Sequence, residues 1–286
     1  MSEEKVLTKE IAAQFLADED SVELEEFTAF EDDDVARLLS KAEGVLWLDG
    51  LTELSDAAAE SLSKYEGSLI LNGLTEISDA AAESLSEQRG NELELRGLTV
   101  LSDAAAESLS RHTGQYLSLG TVDFEENPGI NELSDAAAAS LSNYPFGLHL
   151  GLTNLSDAAA QRLSKHQGES LAFNLTELTD AAAEILSKHE GPSLGLYGLT
   201  ELSDAAVESL SKYRGRYLTF ESVTKLSDAA AESLSKYEGS LDLDDLTQLS
   251  DTAAKSLSKH EGTLSLNLDN LPASAAQILR DAGHGE

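Results

Sequence analysis

Three observations predict an α/β fold built by stacking one small element pair. The stretch Leu46-Trp47-Leu48-Asp49-Gly50-Leu51-Thr52-Glu53-Leu54-Ser55-Asp56-Ala57-Ala58-Ala59-Glu60-Ser61-Leu62-Ser63-Lys64-Tyr65-Glu66-Gly67-Ser68 begins again at Leu69, 23 residues on, and recurs toward the C-terminus. Within each copy, leucines two apart (Leu46, Leu48) give way to apolar residues three and four apart (Ala58, Leu62, Tyr65), a strand period followed by a helix period. Glycines, Gly50 and Gly67, stand at the two changes. A fixed period of this length marks a repeat protein, because one copy cannot bury its apolar side alone and stacked copies bury it jointly.

Each part of the repeat has a physical reason. Leu46 and Leu48 point to one side of a strand, and consecutive strands form a parallel sheet. Ser55 stands where a helix N-cap is expected, and Asp56 follows at the positive end of the helix dipole. Ala58, Leu62 and Tyr65 line the inner helical face. Glu60 lies four residues ahead of Lys64 on the outer one, the favourable order for an ion pair. Gly67 is expected to end the helix in a left-handed conformation. A threonine column follows the strands, from Thr28 and Thr52 to Thr224 and Thr247. Its hydroxyls are expected to bond turn backbone groups.

Taken in order, residues 1–21 are expected to form an N-terminal helical cap, with Leu7, Thr8, Ile11 and Phe15 at the positions of Leu54, Ser55, Ala58 and Leu62. Residues 22–263 are the repeats. The first is degenerate, with Val22 and Leu24 in place of the strand leucines and Glu31-Asp32-Asp33-Asp34 at a helix start. Strands are predicted at Val22, Leu46, Leu69, Leu93, Leu117, Leu148, Leu171, Leu194, Leu218, Leu241 and Leu264, eleven in all. At about 4.8 Å per strand the sheet would be roughly 50 Å long. One repeat, from Leu117 to Leu148, is eight residues longer than standard, with the excess within 120–130. Insertions in such folds map to loops on one edge. Residues 264–286 form a C-terminal cap, with Pro272 well placed at a helix start. The whole reads as one domain of residues 1–286.

The pattern Leu69-Ile70-Leu71-Asn72-Gly73-Leu74-Thr75-Glu76-Ile77, with its copies, resembles the leucine-rich repeat family, and the helix-containing repeat looks like a bacterial variant. The resemblance covers nearly the whole chain. It implies a right-handed horseshoe solenoid with a parallel sheet on one face and helices on the other. The chain departs from the family in one respect. Leucine and threonine (Leu51-Thr52, Leu74-Thr75) stand where an asparagine or cysteine ladder is usual.

Composition narrows the function. Nineteen basic residues against 53 acidic ones leave a formal charge of −34, and cysteine is absent. Nucleic acid and anionic membranes would be repelled, and neither disulfides nor thiolate metal sites can form. No apolar run spans a membrane. Met1-Ser2-Glu3-Glu4-Lys5 lacks the apolar core of a secretory signal, so a cytoplasmic location is expected. The sequence contains no nucleophile with a partnered base, no phosphate loop and no calcium-loop signature, so an enzyme is not expected and no cofactor is implied. His112, His166, His189 and His260 share a column with Tyr65, Tyr144, Tyr213 and Tyr237. Interchange of Tyr and His marks a packing position, near a helix C-terminus where a partly positive ring is favoured. Asp242, Asp244 and Asp245, near Glu221 and Asp269, are the one place where a hard cation could gather, although no metal site is assigned.

Internal comparison of the repeats points to the sheet face. The helix-start aspartate is constant in the regular copies. The residue between the strand leucines is not: eleven places hold nine residue types, among them Trp47, Ile70, Glu94 and His149. That residue points away from the core. With the flanking Arg96, Tyr116, Tyr197 and Tyr217, and Phe124 in the insertion, these form the candidate binding set. Aromatic side chains are the usual anchors of interfaces. The expected function is a non-catalytic module binding a protein or extended peptide, with an acidic surface that favours a basic partner. The alternative is a structural or cation-binding acidic solenoid of a surface or assembly component. The oligomeric state does not follow from the sequence.

Overall fold

The computed structural model describes residues 5–120, 130 and 132–284. The chain divides into two compact bodies, residues 1–151 and 152–286.

In the N-terminal body, β1 (Val6–Leu7) leads into α1 (Lys9–Ala17), and β2 (Ala29–Phe30) leads into α2 (Asp33–Leu39). Four full repeats follow: β3 (Val45–Trp47) and α3 (Asp56–Leu62), β4 (Ser68–Ile70) and α4 (Asp79–Ser86), β5 (Glu92–Glu94) and α5 (Asp103–Leu109), β6 (Tyr116–Leu119) and α6 (Asp135–Leu141). The strand β7 (Gly147–Leu150) comes last. Strands β3 to β7 pair in sequence order, all parallel, and the strand leucines align: Leu46, Leu69, Leu93, Leu117 and Leu148 are successive partners.

The C-terminal body continues the pattern. It contains α7 (Asp157–Leu163), β8 (Leu171–Asn174), α8 (Asp180–Leu186), β9 (Ser193–Tyr197), α9 (Asp204–Leu210), β10 (Tyr217–Thr219), α10 (Asp228–Leu234), β11 (Ser240–Asp242), α11 (Asp251–Leu257), β12 (Leu264–Ser265) and α12 (Ala273–Asp281). Strands β8 to β12 are again parallel and in register through Leu171, Leu194, Leu218, Leu241 and Leu264. In both bodies the strand leucines and the inner helical residues, such as Ala58, Ala59 and Leu62, are buried.

Ten of the eleven expected strands are present. The exception is the one at Val22. Residues Glu19–Ser21 and Leu24–Glu26 form 3-10 turns, and only Leu24 of that stretch is buried. The stretch Asp18-Glu19-Asp20 to Glu23-Leu24-Glu25-Glu26 carries too many carboxylates for a strand laid beside another, and local turns satisfy its backbone instead. The chain joins the fold three residues later, where β2 pairs with β1 (Ala29 opposite Val6, Phe30 opposite Leu7). Leu7 is thereby buried in a strand and α1 caps the stack, with Thr8 as N-cap. The insertion at 121–129 lies outside the described residues.

The helix starts behave as expected and also join the repeats. Ser55 Oγ accepts from Ala58 N at 3.0 Å, and the same geometry recurs in every regular helix start from Ser78 to Ser250. Within each body these hydroxyls are also positioned to donate to the helix-start aspartate one repeat back, Ser78 to Asp56 and Ser227 to Asp204 at 2.5 Å; Ser55 pairs with Asp33 and Ser250 with Asp228 in the same way. The constant Ser-Asp pair is therefore a cap and an inter-repeat ladder at once. A second ladder runs along the threonines. Thr52, Thr99, Thr176 and Thr247 each donate from both N–H and Oγ1 to the carbonyl of the preceding threonine, at 3.0–3.3 Å.

Two expectations about helix ends are corrected. The helix α3 stops at Leu62 with Ser63 still right-handed, and Gly67 has no positive φ. Gly67 is required for space: a Cβ there would collide with the carbonyl of Gly44 and the Tyr65 hydroxyl. Nor is a positive ring favoured at three of the column positions. Burial pushes His112 and His189 down to about 4, and His260 down as well. They are rungs of a stack: His166 on His189 on Tyr213 on Tyr237 on His260, centroids 6.0–6.3 Å apart and nearly parallel. Where the rung is tyrosine, its hydroxyl donates to the glycine carbonyl one repeat back, as Tyr213 to Gly191 at 2.6 Å and Tyr237 to Gly215 at 2.8 Å.

Candidate functional site: the sheet faces

Alternation places the residue between the two strand leucines on the face opposite the helices. In the N-terminal body that row reads Trp47, Ile70, Glu94, Ser118, His149 across β3 to β7. Trp47 is 49% exposed and Tyr116, two residues before Ser118, is 38% exposed. Ile70 is the exception to the sequence reading. It is 1% exposed, in register between Trp47 and Glu94. Neighbouring strands lie less than 5 Å apart, so larger flanking side chains can cover a short aliphatic one even on the open face. Ile70 is part of the floor. Ser118 is buried in the same row.

The middle of this row is polar and internally bonded. Asn72 Nδ2 donates to Glu94 Oε2 at 3.2 Å, Asn72 Oδ1 accepts from Arg96 N at 3.0 Å, and the Arg96 guanidinium pairs with Glu94 at 2.5 Å. Asp49 adjoins the group. Its carboxyl is raised by burial, which outweighs its bonds to Asn72. At the far end Tyr116 meets His149 edge-on, centroids 6.3 Å apart. His149 is lowered by burial first and by the nearby Arg96 second. The structure thus brings Glu94 and Arg96 together, brings Tyr116 and His149 together, and places Trp47 at the edge of the same sheet. Phe124 lies outside the described residues.

In the C-terminal body the row reads Ala172, Gly195, Thr219, Asp242, Ser265. Tyr197 folds back over Gly195, where a Cβ would come within 2.7 Å of its ring. Its hydroxyl is raised by burial, with Glu221 and Asp242 adding to the effect. Tyr197 is therefore half-buried, whereas Tyr217 on β10 is 47% exposed. Glu221 and Asp242 are both raised, by burial and by the other carboxylates around them, Asp244 and Asp245 included. Asp269, grouped with them by sequence, instead pairs with Arg280 at 3.0 Å. Among the described residues no three His, Asp or Glu side chains are arranged to hold a metal ion.

The sequence reading missed two participants. Asn72 and Asp49 organise the polar patch, and the signal was the strand-plus-two column in which Asn72, Arg96 and Asn174 recur. Val45, 42% exposed beside Trp47, carried no signal. No helix among the described residues is long and apolar enough to cross a membrane.

No protein-family model matches the sequence, and no curated protein does. Among solved structures the chain is similar to a leucine-rich repeat protein of Leptospira interrogans, at 15% identity over 98% of this chain and 79% of that one, with a TM-score of 0.47. It is also similar to an internalin of Listeria monocytogenes, at 15% identity over 86% and 73%, with a TM-score of 0.46. The chain's own geometry carries the fold: a leucine strand, a turn and a helix recur, mostly at steps of 23 or 24 residues, with strands parallel and leucines in register, which is a repeat fold of the leucine-rich type.

Proposed function

We propose that the chain is a non-catalytic binding module whose sheet faces take a protein or an extended peptide. One observation carries the reading. Large aromatic side chains, Trp47, Tyr116 and Tyr217, stand exposed on the strands, while Tyr65, Tyr144, Tyr213 and Tyr237 on the helical side are all buried. Exposed aromatics surrounded by polar groups are the composition of interface anchors. Trp47, Glu94, Arg96, Tyr116 and His149 would serve in the N-terminal body, and Tyr197 and Tyr217 in the C-terminal body. The charge of −34 favours a basic partner and disfavours nucleic acid, in keeping with a cytoplasmic module of bacterial type.

Affinity measurement on any captured partner tests this. Trp47→Ala and Tyr217→Ala should each weaken binding by on the order of 2 kcal/mol with melting nearly unchanged. Glu60→Gln and Glu83→Gln, on the outer helical faces, should matter little. Loss of binding in the helical variants alone would place the working surface on the other side.

A further inference from the structure

The short links between turn and helix cap form a groove along one edge of the N-terminal body. Three successive repeats line it, through residues 52–54, 76–78 and 100–102, and it encloses about 740 Å³. Its floor is apolar. Leu54, Ile77 and Leu101 hold equivalent places in the three repeats and are half-buried. Beside them Val100 is 61% exposed, more than any other large apolar side chain among the described residues. The backbone under the groove is fixed by the threonine ladder, with Thr52 bonded to Thr28 and Thr99 to Thr75 through both N–H and hydroxyl.

Val100 departs from the repeat. The same position holds glutamate in five regular copies, from Glu53 to Glu201, and Asn154, Lys225 or Gln248 in the others. A lone exposed valine would need no account, but this one adjoins the half-buried row, so apolar surface continues across three repeats. The rim is acidic. Glu53 and Glu76 line the groove, and the exposed Asp56, Asp79 and Asp103 follow its helix caps. Asp56 and Asp79 accept from Ser78 and Ser102 through Oδ1. None of these five carboxylates is in an ion pair among the described residues, and no lysine or arginine lines the groove.

We propose that this groove docks an amphipathic helix of a partner protein, apolar along one side and bordered by lysine or arginine. The spacing fits. A helix rises about 5.4 Å per turn and neighbouring repeats lie about 4.8 Å apart at their strands, so residues at i, i+4 and i+7 fall on successive repeats. Apolar side chains would cover Val100, Ile77 and Leu54, and basic ones would meet Glu53, Glu76 and the aspartates. Charge decides against a second copy of this chain as the occupant, because two molecules of −34 repel. The site goes beyond the sheet-face reading, since it lies along the helix caps and none of the candidate sheet-face residues lines it.

The probe is a fluorescent synthetic peptide of about fifteen residues, with leucines at helical spacing between lysines, titrated into the full chain at about 0.15 M salt and read by anisotropy. Saturable binding is expected. Val100→Glu, which installs the residue of the neighbouring repeats at an exposed position, should weaken it about tenfold, since an apolar contact is lost. Attraction of lysines to an acidic surface alone predicts the opposite, equal or tighter binding by the more negative variant. Glu53→Gln/Glu76→Gln should weaken the peptide as well, whereas Trp47→Ala and Tyr217→Ala should leave it unchanged. Equal or tighter binding by Val100→Glu, or no saturable change by about 1 mM, overturns the proposal and leaves the sheet-face reading untouched. Loss of the peptide in Trp47→Ala with Val100→Glu unaffected would move it to the sheet face and overturn the groove. Self-association by sedimentation that Val100→Glu abolishes would assign the groove to a second copy and also overturn it.

Discussion

The buried ring column makes stability depend on pH in a way that one substitution can isolate. His112 stacks on Tyr144, with ring centroids 6.5 Å apart, and His189 lies between His166 and Tyr213, its Nδ1 3.3 Å from the Ser164 carbonyl. Both rings are nearly inaccessible, and burial is the largest cause of their fall from 6.5 to about 4. A histidine whose folded value is depressed contributes fully above the unfolded value. The contribution is lost as pH falls from 6.5 toward 4, because the unfolded chain takes up the proton first. Each ring should cost roughly 2 kcal/mol at pH 5 and about 3 kcal/mol near pH 4. Two rings together then remove about 4 kcal/mol at pH 5, a large share of the 5–15 kcal/mol typical of a folded chain. Protonation of carboxylates acts the other way in so acidic a molecule, by relieving repulsion. The comparison is therefore with His112→Tyr/His189→Tyr, which leaves the carboxylates as they are. Tyrosine already fills this column at Tyr144 and Tyr213, so the ring has a native precedent. Urea unfolding followed by far-ultraviolet circular dichroism at pH 8, 6 and 5 reads the difference. The double variant should lose less stability than the wild type over that range, by about 4 kcal/mol. Parallel pH dependence in the two proteins would refute the reasoning.

Other outcomes follow from the ladders and the faces. Ser55→Ala removes both a helix cap and the bond to Asp33, and should lower stability by about 1–2 kcal/mol in denaturant unfolding. Gly67→Val should cost more than Ser55→Ala, because its Cβ would strike backbone at Gly44; equal melting of the two variants would mean the close approach is absent. Lys64→Ala, which breaks an exposed pair to Glu60 at 3.4 Å, should change stability by less than about 0.5 kcal/mol, measured the same way. Association with a basic partner should slow as salt rises, read by stopped-flow mixing, because screening acts on steering.

The parts of this protein that were legible in the sequence are those governed by neighbours along the chain. Leucines two apart, apolar residues at helical spacing and Ser-Asp at each helix start report strand, helix and cap by local geometry alone. So does the register, since repetition of a 23-residue pattern leaves one alignment in which every leucine faces the core. The candidate face was legible to the same extent. Alternation showed that Trp47, Glu94 and His149 share a side, and variation among the repeats marked that side as free of packing constraint.

What a residue meets across the stack was decided by the tertiary structure. Ile70 belongs to the open face by alternation, yet Trp47 and Glu94 flank it on adjacent strands and it is buried. Val22 has the place of a strand leucine, but the carboxylates around it favour turns, and the chain pairs with β1 only at Ala29, where β2 begins. Gly67 follows the helix, yet its need for a missing Cβ comes from Gly44 and Tyr65 in three dimensions. The column of Tyr and His is readable as packing. That its rungs stack about 6 Å apart, and that His112 and His189 are held low, depends on the depth to which neighbouring repeats enclose them. Period and polarity are properties of the chain, whereas exposure, charge state and the partners of an edge depend on what packs beside it.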